Sequence, residues 1–166
     1  PFWGVGAPDL GIALLKSFLE GRGVSCATVD VNAHAYAYKG KKYGEYWDLK
    51  NGYNFCMERD AMLEYYRDNR PLMLHYMHEI ANFNPVVVGC SVKVTCRVVT
   101  ELFLEDFRNL YPGHKHVLGG PEVAHFMKNS DELLSRDYID AVCQDEGEHA
   151  LLEYVKAVKE GAGRPV

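Results

Sequence analysis

The chain has 166 residues, 48% hydrophobic and 25% charged, with a formal net charge of -5. That length suits one domain with a full core. The negative balance argues against a nucleic-acid or anionic-membrane surface, and no apolar run approaches the ~18 residues of a bilayer span.

Pro1 to Pro8 reads as loop, and Asp9 to Arg22 as a helix with Leu14, Leu15, Phe18 and Leu19 on one face, stopped by Gly21 and Gly23. The β-rich run Val24 to Asn32, with Asp30 near its end, predicts a first strand. An enlarged crossover follows over 33–84. It is far longer than the dozen or so residues that a parallel connection needs, and it holds Tyr36, Tyr38, Tyr43, Tyr46, Tyr53, Tyr65, Tyr66 and Tyr76 with Trp47. Helices are expected at Met57–Asp68 and Pro71–Phe83. The aromatic residues serve either packing of these helices or a cover over a flat ligand or another domain.

Val86 to Ser91 is a continuous run of apolar, mostly β-branched residues. It predicts a central parallel strand buried on both faces. Cys96–Tyr111 carries Val99, Leu102, Phe103, Phe107 and Leu110 at helical spacing, ended by Pro112-Gly113. His116–Leu118 is the next strand, followed by short helices at 123–128 and 131–134, a strand at Tyr138–Cys143, and a last helix turning Leu151, Leu152, Val155 and Val158 inward. Residues 161–166 read as the start of a linker. The five scattered cysteines, without C-x-x-C spacing, read as free thiols of a reducing, cytoplasmic compartment. No nucleophile–base or carboxylate pair stands out as catalytic, so whether this chain is itself an enzyme stays open.

Strands alternating with helices predict a doubly wound parallel α/β sheet. Its candidate site is the turn Val117-Leu118-Gly119-Gly120-Pro121-Glu122. Two glycines there allow either close backbone approach to a ligand or a turn with positive φ, and Pro121 suits a first helical position. In open parallel sheets, ligands bind at such strand C-terminal ends.

Several stretches together resemble one family: Pro8-Asp9-Leu10-Gly11, Val29-Asp30, Pro85 to Ser91, Gly119 to Glu122, and Tyr138 to Val142 leading to Glu146-Gly147-Glu148. In this order the chain is similar to the N-terminal cobalamin-binding domain of cobalamin-dependent (class B) radical SAM enzymes. The likeness spans nearly all of the chain except the tyrosine-rich insertion. Asp145 stands where the family has the first glycine of G-E-G-E, and Lys93 where leucine is usual. The resemblance implies a flavodoxin-like (Rossmann-like) sheet of order 2-1-3-4-5 over residues 1–160. The first, central strand is expected upstream of Pro1. The resemblance implies cobalamin as cofactor, held by Phe2, Trp3, Gly4, Val5, Ser91, Val92, Lys93, Thr95, Gly119, Gly120, Pro121, Glu122, Glu146, Gly147 and Glu148. It implies a C-terminal radical SAM domain as partner, carrying S-adenosylmethionine and a 4Fe-4S cluster. The implied chemistry is methyl transfer or related radical reactions.

No D-x-H-x-x-G, the cobalt-ligating motif of other cobalamin proteins, is present. The seven histidines are therefore expected to be surface or capping residues, and no metal ligand is assigned. Two other readings are carried. One is a non-catalytic cobalamin-binding or sensor module. The other is a nicotinamide-binding Rossmann domain resting on Gly4-Val5-Gly6 and Asp30, although Asp9 stands where the third glycine of that fingerprint belongs.

Overall fold

A computed structural model describes residues 9–38, 40–126, 130–144 and 146–161. Asp9 caps the first helix, α1 (Leu10–Glu20), its carboxylate accepting from the N–H groups of Gly11 and Ile12. Of the apolar face expected on α1, only Leu19 is buried, and Leu14 stays about half exposed.

The strand expected over 24–32 does not form. Residues 24–30 pair with no strand, and Asp30 turns the chain into α2 (Val31–Ala37) by accepting from the Ala33 N–H at 3.0 Å. β-branched residues favour extended backbone, but a strand needs a neighbour. Here none lies beside this segment among the described residues, and a strong capping residue starts a helix instead.

The crossover is helical almost throughout. α3 (Gly40–Tyr43) and a 3-10 turn (Gly44–Trp47) precede α4 (Leu49–Met57), α5 (Arg59–Asp68) and α6 (Arg70–Phe83). Asp48 caps α4, and Asn84, at φ 52°, ends α6 ahead of Pro85. α5 is fastened to the later part of the chain by Tyr66, whose hydroxyl donates to Asp106 at 2.9 Å, while Arg70 at the start of α6 pairs with the same carboxylate.

Three parallel strands follow: β1 (Val87–Ser91), β2 (Lys115–Gly119) and β3 (Ala141–Val142), side by side in that order. α7 (Arg97–Leu110) joins β1 to β2. α8 (Pro121–Phe126) and α9 (Ser130–Leu134) join β2 to β3, and α10 (Gly147–Lys159) follows. The described residues thus form a mixed α/β structure with a small open parallel sheet, consistent with a Rossmann-like fold. β1 is not central in this sheet. It pairs with β2 alone, and Val86 and Gly89 are exposed rather than buried on both faces. Its other edge lacks a partner strand among the described residues.

Register assigns the two faces. Val88 lies beside His116 and Cys90 beside Leu118, while Gly89 lies beside Val117 and Ser91 beside Gly119. Side chains alternate along a strand, so Val88, His116 and Leu118 share the face on which α7 packs with Phe103, Leu104 and Phe107. Met62, Tyr65, Met73, Tyr76 and Met77 of the crossover fill out that core. α1 and α10 meet each other through the Phe18 and His149 rings. Leu152 and Val155 of α10 are buried, as the periodicity predicts, and Leu151 and Val158 are half-buried.

Candidate functional site

The crevice at the C-terminal ends of β1 and β2 is built by backbone first. The Val92 N–H donates to the Gly119 carbonyl at 2.7 Å, and the Glu122 N–H donates to the Val92 carbonyl at 3.1 Å. The turn after β2 is therefore clasped on both sides of Gly120 by one residue of the loop after β1. Gly120 has φ +100°, and a Cβ there would lie 2.7 Å from the Val92 nitrogen, 2.8 Å from its oxygen and 2.9 Å from Ser91 Oγ. The close approach that this glycine permits is to the chain's own backbone.

Gly119 differs. A Cβ there meets only Cys143, at an ordinary 3.6 Å. It stands in a lane of small residues on the face opposite α7, Ser91 beside Gly119 beside Cys143, with Gly89, where a Cβ would meet nothing within 4 Å, next to Ser91 on that face; buried Val117 stands between Gly89 and Ala141 in the adjoining row. The lane leads to Cys143 and Gly147, and Gly147 starts α10 against Leu15. Glu146 is exposed at the N-cap position without a side-chain capping bond, and Glu148 is half-buried in the first turn.

Charges in the crevice are mostly committed. Lys93 donates to Asp9 at 2.5 Å across 84 residues of sequence, tying the start of α1 to the loop after β1. Burial alone would raise the pKa of Asp9, but Lys93 and the N–H groups of Ile12 and Gly11 outweigh it and hold the carboxyl below its ordinary value. Arg97, at the start of α7, is bonded to Glu101 at 2.9 Å and stands 3.9 Å from Glu122. Glu122 is buried, and its Oε2 has no hydrogen-bond partner. Burial pushes its carboxyl up, only partly offset by Arg97.

The structure therefore brings Ser91, Val92, Lys93, Gly119, Gly120, Pro121 and Glu122 to one place, with Gly147 joined to them through Cys143. Thr95 is buried in the 3-10 turn Val94–Cys96. Phe2, Trp3, Gly4 and Val5 lie outside the described residues. The sequence reading omitted Asp9 and Arg97 from the site. The capping signal of Asp9 was visible, but its pairing with Lys93 is set by tertiary structure alone. Among the crossover aromatics, Tyr43, Tyr65, Tyr66 and Tyr76 are buried in the core, while Tyr36, Tyr38 and Tyr53 are exposed.

The expectation for the histidines fails at His116. It is fully buried, its Nδ1 2.9 Å from the Tyr138 carbonyl, and burial above all takes its pKa down to about 4. Position 116 points to the α7 face, so a neutral imidazole serves as a core ring there. Among the described residues no group of three or more His, Cys, Asp or Glu is arranged to hold a metal ion, and no helix is long and apolar enough to cross a membrane. No protein-family model, curated protein or solved structure matches the chain.

Proposed function

We propose that the chain is a ligand-binding α/β domain that holds a corrinoid, cobalamin, at the C-terminal ends of its strands. In this reading it is the cobalamin domain of a radical SAM enzyme whose S-adenosylmethionine and 4Fe-4S cluster sit in a C-terminal domain. The observation that carries the reading is the lane Gly89–Ser91–Gly119–Cys143 on the face opposite α7. Small side chains in adjacent strands are where a ligand can lie close to the backbone, and this lane would be the channel along which the nucleotide tail runs into the crevice. The residues fit that group at Gly89 and Gly119, where added side chains would enter open space or touch only Cys143. At Gly120 the space is already filled by Val92.

The bound cofactor would supply methyl-transfer or related radical chemistry, and the chain supplies binding and orientation. Ser91 offers a hydroxyl at the mouth of the channel. The Asp9–Lys93 bridge holds the loop after β1 in place. No residue of the chain is assigned as a ligand to the metal, and the lane would hold the nucleotide tail, the arrangement a base-off, His-off corrinoid would need. In the full sheet, β1, β2 and β3 take the third, fourth and fifth positions of order 2-1-3-4-5.

The test is an absorbance titration with hydroxocobalamin run beside one with NADH. A shifted corrin spectrum saturating at one equivalent supports the reading; an unchanged spectrum overturns it. NADH binding would favour the nicotinamide alternative. Against that alternative, the Asp30 carboxylate is occupied in capping α2.

A further inference from the structure

Away from the crevice, α7 forms one wall of an open cavity of about 250 Å³. Val98, Glu101, Leu102 and Glu105 line it, and their helical spacing puts them on one face of α7. Arg59, at the start of α5, and Arg136 with Tyr138, between α9 and β3, complete the lining. The volume lies below the roughly 300–1,000 Å³ of sites that take drug-sized ligands, so the occupant is a small molecule.

Charges of both signs face this space without closing it. Arg59 and Glu105 are exposed, and neither has an ion pair or hydrogen bond among the described residues. Arg136 has only Glu132, at 3.9 Å, too far for a hydrogen bond. Glu101 is already bonded to Arg97 at 2.9 Å. Tyr138 is the buried member of the set, only 7% exposed. Its hydroxyl has no hydrogen-bond partner, yet it is not sealed from solvent as those of Tyr65 and Tyr76 are. Burial raises its pKa, Glu101, Glu105 and Asp137 add to that, and Arg136 opposes it. Three of these four charges line the cavity, so the hydroxyl stands at its wall.

The two arginines on the flanking segments stay beyond ion-pair distance of the two carboxylates on α7. A lone anion would be drawn to the arginines and repelled by α7, and a lone amine would meet the reverse. A small molecule with a carboxylate at one end and an ammonium group at the other is complementary to both sides.

We infer that this cavity is a second ligand site, for a small aliphatic α-amino acid: Arg59, Arg136 and the Tyr138 hydroxyl hold its carboxylate, Glu105 holds its ammonium group, and Val98 and Leu102 receive its side chain. The site is independent of the corrinoid reading and stands or falls without it.

The experiment is isothermal titration calorimetry of the parent chain, without cobalamin, against L-leucine, isocaproate and isoamylamine. The last two keep the side chain and lack the amine or the carboxylate. L-Leucine is expected to bind with a dissociation constant of about 1 mM or below, and each control at least about tenfold more weakly. Arg59→Gln and Glu105→Gln change exposed residues, so both should fold as the parent does by circular dichroism, and each should weaken L-leucine about tenfold. Tyr138→Phe, which removes one hydrogen bond, should weaken it about threefold or more. Absence of L-leucine binding at about tenfold above the expected constant, or a control that binds as tightly, overturns the inference. So does undiminished affinity in folded Arg59→Gln and Glu105→Gln. Should Tyr138→Phe fail to fold, these two exposed variants decide.

Discussion

Alanine at Gly120 probes the architecture of the crevice directly. The new Cβ would fall 2.7 Å and 2.8 Å from the Val92 nitrogen and oxygen. These two atoms make the hydrogen bonds to Gly119 and Glu122. Backbone cannot swing aside as the tip of a flexible side chain can, so relief requires opening the clasp. Two costs combine. An L-residue at φ +100° is destabilising by about 1 kcal/mol or more, and overpacking a tight contact costs about 1–3 kcal/mol. The expected loss is therefore about 2–4 kcal/mol. With a urea m-value of about 2 kcal/mol/M for a small domain, the midpoint falls by roughly 1–2 M. Gly119→Ala is the control. Its Cβ meets Cys143 at 3.6 Å and its φ is not positive, so stability should stay within about 1 kcal/mol of the parent. A Gly120→Ala midpoint indistinguishable from the parent, or higher than that of Gly119→Ala, would refute the clasp. Because the Gly120 effect is internal to the fold, lost ligand binding in Gly120 variants says nothing about where a ligand lies.

Gly119→Val carries that question instead: on folded protein it should weaken hydroxocobalamin binding about tenfold or more, since a branched side chain would stand in the channel. Co(II) electron paramagnetic resonance of the loaded chain should show no nitrogen hyperfine splitting from an axial ligand. Buried His116, with its pKa lowered to about 4 from 6.5, binds its proton more readily unfolded than folded. Its contribution to stability is full above pH 6.5 and declines as pH falls toward 4, by about 3 kcal/mol. Unfolding free energies measured at pH 4 and pH 7 should differ by less in His116→Gln than in the parent. Asp140 accepts from Arg108, from Lys115 at 2.8 Å and from the His116 N–H at 2.9 Å. Burial opposes its ionisation, yet these partners hold its pKa below the ordinary value. Asp140→Asn, leaving a largely buried Arg108 without its carboxylate, should cost about 3 kcal/mol in urea unfolding.

What the sequence made legible were the elements whose signal is local. α6 and α7 appear within a residue of their expected bounds, and α10 buries Leu152 and Val155, because apolar residues at helical spacing must share one face. β2 and its glycine turn were equally readable. The 24–32 strand was misread because β-branched composition reports a preference for extended backbone and says nothing about a neighbour to pair with. Val86–Ser91 was read as a central strand, and among the described residues it pairs with β2 alone. In the site, the glycines were visible as glycines. That Gly120 serves contact with Val92, and Gly119 open space, depends on which loop folds over which turn. The Asp9–Lys93 bridge and the orphaned oxygen of Glu122 are likewise products of tertiary structure, and no spacing rule announces them.

The crossover has a bearing on how the chain folds. Many of its largest buried side chains, Met62, Tyr65, Met73, Tyr76 and Met77, lie within 16 residues of one another on α5 and α6. Their contacts close short loops. The β1–β2 ladder must instead join residues separated by the whole of α7, and parallel pairing of this kind is slow to nucleate. The inserted helices are thus expected to condense first and present the surface on which α7 and the strands assemble. Substitutions that weaken the α5–α6 contacts should slow folding, whereas those at Gly89 and Gly119 should mainly hasten unfolding.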